Sequence, residues 1–227
     1  MLRLIMAAAF VASLASPSMA GNSGIAYVEQ LGDHNIAAQI QRLGRNEADL
    51  TQKGGNGNQA FQHQRGENAA AVLQYGSGNR LYQIQDGYGN EASAKQIGSG
   101  NWGTQFQGGA GNKAVLQQKG HDLVAHQVQH GVGNVAKLYQ NGTDSESYQF
   151  QSGSENVSIV TQNGSGSYGM TVQTGKGIDA NIALDASQFQ IMQNGADHVI
   201  NAHLANINNM RITQTGREAV LTIQTRR

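Results

Sequence analysis

Glutamine recurs at a fixed interval of eleven residues, at Gln74, Gln85, Gln96, Gln107, Gln118, Gln129, Gln140, Gln151, Gln162 and Gln173. Two residues behind each stands glycine: Gly76, Gly87, Gly98, Gly109, Gly120, Gly131, Gly142, Gly153, Gly164 and Gly175. No unit fails. A chain that copies itself at so short a period is restricted to architectures that stack one supersecondary unit on the next.

Within each unit, Asn follows the Gln by five residues at Asn79, Asn90, Asn101, Asn112, Asn134 and Asn156, and the position two further on is small in nine of ten units, Leu81 being the exception. Gly and Asn both tolerate positive φ and read as turn residues. The remaining half of each unit alternates as a strand does. If Leu81, Gln83 and Gln85 point inward, the period of two places Glu47, Asp49, Arg80, Glu91, Lys95, Lys113, Lys137, Glu146 and Asp179 outward, although none of them set the register. Only Glu218 breaks the rule.

A six-residue strand spans roughly 17 to 20 Å, which a five-residue turn scarcely covers on its return, so one coil needs two strands and two turns, or 22 residues. The small inward residues let two walls approach. The expected fold is all-β: a solenoid of about nine strand-turn-strand-turn coils, two stacked parallel sheets in a cross-β-like arrangement. Residues 22 apart then lie about 4.7 Å above one another. Gln74, Gln96, Gln118, Gln140 and Gln162 form one expected amide ladder, and Gln85, Gln107, Gln129, Gln151 and Gln173 another. Stacking resolves the cost of burying an amide, about 1 to 3 kcal/mol when unpaired.

Fifteen basic residues balance fifteen acidic ones, which argues against nucleic acid as a partner. No stretch is apolar and long enough to span a membrane as a helix. Residues 1–20 carry Arg3, an apolar run from Leu4 to Leu14, and a small-residue end at Ser18-Met19-Ala20, the grammar of a secretory signal peptide. Residues 21–177 are expected to form the regular repeats, and residues 178–227 a degenerate set with a basic tail. The repeat starts almost at once, at Gly24, Ala26, Val28 and Gln30, so the amino end reads as an uncapped strand edge. Such an end is expected to add further copies of the chain.

The units QIGSGNWGTQFQ, QGGAGNKAVLQQ and QHGVGNVAKLYQ resemble the curlin repeat of bacterial curli fimbriae. The resemblance covers residues 24 to 177 and implies an extracellular functional amyloid subunit, with itself as partner in a homopolymer, passed through an outer-membrane secretion pore and assembled with a companion curli subunit for adhesion and biofilm matrix. The segment RITQTGREAVLTIQTRR is similar to the tail of the nucleating type, whereas the regularity from Gln74 to Gln173 looks like the fibre-building type. Both assignments stay open.

Other motifs carry less. Gly164 to Gly169 matches GxGxxG without the strand-helix unit that a dinucleotide site needs. His121, His126 and His130 divide between turn and outer face, whereas zinc needs ligands converging on one point. No catalytic constellation is identifiable, and no enzyme activity, cofactor or metal is expected. The alternative function is a monomeric secreted solenoid that binds carbohydrate or ice.

Overall fold

The computed structural model describes residues 10–15, 24–185, 188–205 and 209–225, and among them every regular element is a β-strand. The strands are β1 (Phe10–Ala15), β2 (Ile25–Leu31), β3 (Ile36–Arg42), β4 (Glu47–Lys53), β5 (Gln59–Ser77), β6 (Arg80–Ser99), β7 (Trp102–Ala110), β8 (Lys113–His121) and β9 (Val124–Val132). They continue as β10 (Val135–Thr143), β11 (Glu146–Ser154), β12 (Val157–Ser165), β13 (Tyr168–Lys176), β14 (Asp179–Asp185), β15 (Gln188–Ala196), β16 (Val199–Ala205), β17 (Met210–Arg217) and β18 (Val220–Thr225).

Every pairing is parallel and, apart from those of the long β5 and β6 with their chain neighbours, joins strands two apart in the chain, β7 to β9, β8 to β10, β9 to β11 and onward. The chain therefore winds as a β-solenoid of about nine turns. β5 and β6 run through a corner, so each contributes to both walls. One wall carries β3, the first halves of β5 and β6, then β7, β9, β11, β13, β15 and β17. The other carries β2, β4, the second halves of β5 and β6, and β8 through β18 by even numbers.

Strands are nine residues long in the regular region, and only two residues, such as Gly111 and Asn112, lie between them. The five-residue turn expected from the sequence is thus corrected: backbone pairing continues through Gln-x-Gly, as in Gln107↔Gln129 and Gly109↔Gly131. The bend comes from positive φ at two places, the Gly after each Gln (Gly98, +118°) and the residue just before each Asn (Gly100, +68°; Glu155, +58°). At Gly98 a Cβ would also run into the carbonyl oxygen of Gly120 in the next coil. Glycine is required there for space as well as conformation.

Where the period slips, a corner absorbs it. Gln41 pairs with Gln64 and Gln64 with Gln85, and the register shift between Glu67 and Ala69 restores the step. The stack continues past the regular repeats: β14 lies on β12, β15 on β13, β16 on β14, β17 on β15 and β18 on β16. Glu218, the one charge that alternation places inward, instead sits exposed at a corner with φ of 58°. The nine charges expected outward are all exposed or half-buried.

The core is thin and mixed. Leu50, Val72, Ala94, Leu116, Leu138, Val160 and Ile182 form a buried aliphatic file down one wall. Glutamine fills the corresponding file of the other wall over most of its length.

Candidate functional site: the amide ladders and the ends of the stack

Along the two expected ladders of the regular repeats the Gln side chains are buried, and each Nε2 donates to Oε1 of the Gln one coil nearer the carboxyl end until the file ends. Gln74 donates to Gln96 at 2.7 Å, Gln96 to Gln118 at 2.8 Å, Gln118 to Gln140 at 3.0 Å and Gln140 to Gln162 at 3.0 Å. On the opposite wall Gln85 donates to Gln107 at 2.8 Å, Gln107 to Gln129 at 2.9 Å, Gln129 to Gln151 at 2.8 Å and Gln151 to Gln173 at 2.8 Å. The same Nε2 also donates across the core, as from Gln107 to the Glu91 carbonyl at 3.0 Å. One amide thus ties coil to coil and wall to wall, which leaves no polar atom of a regular rung stranded.

A third ladder was not read from the sequence. Gln39, Gln62, Gln83, Gln105, Gln127 and Gln149 bond in succession at 2.6 to 2.9 Å on the wall of β7 and β9. Its signal is the doublet Gln-x-Gln in alternate units, visible only once the period is taken as 22. Beyond Gln149 the file passes through Thr171 and turns apolar at Ile191 and Ile212.

The asparagines do not take the left-handed turn conformation assigned to them. Asn79, Asn90, Asn101, Asn112, Asn134 and Asn156 are fully buried and absent from the positive-φ residues. Asn101 Nδ2 donates to Asn79 Oδ1 at 2.9 Å and to the Gly120 carbonyl at 3.0 Å, while Asn79 Oδ1 also accepts from the Asn101 backbone N–H. The asparagines of Asn68, Asn90, Asn112, Asn134 and Asn156 repeat the pattern. These side chains satisfy corner backbone groups, and their amides run opposite in direction to the glutamines. Gly76, Gly87, Gly98, Gly109, Gly120 and Gly131 hold the positive-φ place beside them.

The ends of the stack break the ladders. Gln30 Oε1 on β2 and Gln39 Oε1 on β3 are buried and have no hydrogen-bond partner. At the other end Gln214 accepts from Gln193 at 2.9 Å, and its own Nε2 reaches only the Ala219 carbonyl at 3.4 Å. The expectation of a bare amino end needs one correction for the full-length chain. β1 lies parallel on β3, with Ala15 in register with Gln41, so a strand from within residues 1–20 covers that edge. Among the described residues β4 is the only strand paired with β2.

The outer surface differs between walls. β7, β9 and β11 present Trp102, Phe106, His126, Tyr148 and Phe150, with Trp102 and His126 centroids 5.5 Å apart and His126 stacked on Tyr148 at 5.0 Å. Thr104 Oγ1 lies 2.6 Å from His126 Nδ1. Burial holds the His126 pKa below its usual value, with Glu146 pulling the other way. His121 contacts Ser99 Oγ at 2.6 Å instead, so the three histidines do not meet. The glycines of Gly164 to Gly169 separate too: Gly166 is an exposed corner, and Gly169 faces inward against the Phe189 ring. Among the described residues no helix is long and apolar enough to cross a membrane.

No protein-family model matches the chain, and neither a curated protein nor a solved structure matches it.

Proposed function

We propose that this chain is the subunit of an extracellular fibre of the curli type, growing end to end as each copy continues the ladders of the last. The observation that carries the reading is the pair of buried, unpartnered acceptors at the amino end, Gln30 Oε1 and Gln39 Oε1, in ladders whose donors all point toward the carboxyl end. An unsatisfied buried acceptor costs about 1 to 3 kcal/mol, and the edge that holds these two also offers unpaired backbone groups that a strand of a second copy can pair.

The arrangement of strands supports the same reading. Loss of residues 1–20 as a leader strips β1 from β3. The edges of β2 and β3 then stand open at one end of the stack, and those of β17 and β18 at the other. Unpaired parallel edges at both ends favour such addition. In this role the subunit is exported through an outer-membrane pore, meets a companion curli-type subunit, and polymerises at the cell surface for adhesion and biofilm matrix.

The test is to incubate the chain lacking residues 1–20 and follow assembly by electron microscopy and fibre diffraction. The expected result is unbranched fibres with reflections near 4.7 and 10 Å. Discrete single particles at high concentration, without axial order, overturn the proposal.

A further inference from the structure

Three outward files cross four successive coils of β6, β7, β9 and β11: Arg80–Trp102–Val124–Glu146, then Tyr82–Thr104–His126–Tyr148, then Ile84–Phe106–Val128–Phe150. Trp102, Phe106 and Tyr82 are 45%, 40% and 43% exposed on a flat sheet. The only formal charges in this area are Arg80 at one end and Glu146 at the other, three coils away. Neither forms a salt bridge among the described residues. On the opposite wall the matching coils carry Glu91, Lys95, Lys113 and Lys137 instead.

We propose that this aromatic face docks a second copy of the chain, wall against wall, with the two stack axes running in opposite directions. A two-fold axis lying in the face and parallel to the strands exchanges the first coil with the fourth and the second with the third. Arg80 of each copy then faces Glu146 of the other. In the same operation Trp102 meets Val124 and Phe106 meets Val128, a large ring against a small branched chain each time. Docking with the axes parallel reverses the order of the files instead, setting Arg80 against Ile84 and Glu146 against Phe150, each charge on an apolar side chain, and Trp102 against Phe106, bulk on bulk. Charge and volume thus select one orientation. This lateral contact uses none of the groups that end-to-end growth uses.

Cysteine cross-linking tests it, because the chain has no cysteine of its own. Arg80→Cys and Glu146→Cys variants, one carrying a mass tag, are mixed in equal amounts and oxidised under air. Within one molecule the two sites are three coils, roughly 14 Å, apart, beyond disulfide reach. The expected product is the mixed 80–146 dimer, in at least about tenfold excess over either like pair. The reciprocal charge variant Arg80→Glu/Glu146→Arg keeps the concentration-dependent blue shift of Trp102, the only tryptophan, while either single change abolishes it.

Dominant 80–80 and 146–146 products overturn the proposal, since the antiparallel contact holds like sites three coils apart. Yields equal to those of Lys95→Cys on the opposite wall overturn it as non-specific collision. A Trp102 shift that follows added oligosaccharide and not protein concentration assigns the face to a glycan and overturns it as well. Cross-linking reads out wall contact whether or not fibres form, so its failure is distinguishable from failure of the fibre reading.

Discussion

Leu81 and Gly103 are register partners on adjacent strands, and the size of each is set by the other: a Cβ on Gly103 would lie 2.7 Å from Leu81 Cδ1 and 2.6 Å from Leu116 Cδ2. Among the ten regular units Leu81 is the one large residue in a position otherwise small, and the coil above it gives up its side chain entirely. Gly169 stands in the same relation to Phe189. Gly103→Leu is expected to lower stability by about 1 to 3 kcal/mol through overpacking. Combining it with Leu81→Gly restores most of the loss, read as the denaturant midpoint.

Gln118 accepts from Gln96 and donates to Gln140, whereas Gln117 beside it faces outward. Gln118→Leu breaks a ladder twice and strands the Gln140 acceptor, an expected loss of about 1 to 3 kcal/mol for each orphaned group. Gln117→Leu is expected to change stability by no more than about 0.5 kcal/mol. Equal effects in paired denaturation curves contradict the assignment of faces.

Gly98→Val meets both a φ of +118° and the Gly120 carbonyl. The conformation alone costs about 1 to 3 kcal/mol. Slowed assembly and a lower unfolding midpoint are expected, while Lys95→Ala, on a half-buried outward position, leaves both nearly unchanged.

Ser147 is fully buried, and its Oγ has no partner, although its register neighbour Ala125 fills the same place with a methyl group. Ser147→Ala is expected to raise stability by about 1 kcal/mol, since it removes an unsatisfied hydroxyl without opening a cavity. Thermal or denaturant unfolding checks the sign.

His126 has a folded pKa below the unfolded value of 6.5, chiefly from burial. Below pH 6.5 the unfolded chain takes up a proton that the folded chain resists, so stability falls as pH drops through that value and is unaffected above it. His63 adds to the trend, lowered by burial first and then by Arg42. His126→Gln is expected to flatten part of the acid slope in a pH series of unfolding midpoints.

The all-β solenoid was legible because the period of 11 and the alternation within it are both local. The outward charges followed from the pleat alone. Asn101 was misplaced because its residue type suits a turn, whereas the corner strains the residue before it and uses the Asn amide to satisfy Gly120 and Asn79. Gln105 escaped notice because a period of 11 averages its Gln file with the Leu116 file, and only the doubled period separates the walls. The strand at Phe10–Ala15 was hidden by the leader grammar of the same residues. Glu218 escaped because alternation does not run through a corner: four residues past Gln214, it takes the positive-φ place that Gly100 and Glu155 take, and its side chain stays outside.

The rungs of the ladders join residues 20 to 23 apart, each coil resting only on its immediate neighbours. No distant segment has to arrive before a rung can close, so ordering can begin at any level and spread both ways, in the manner of a one-dimensional chain of coupled units. Deleting 22 residues from the regular region should accordingly yield a shorter rod, not a broken one.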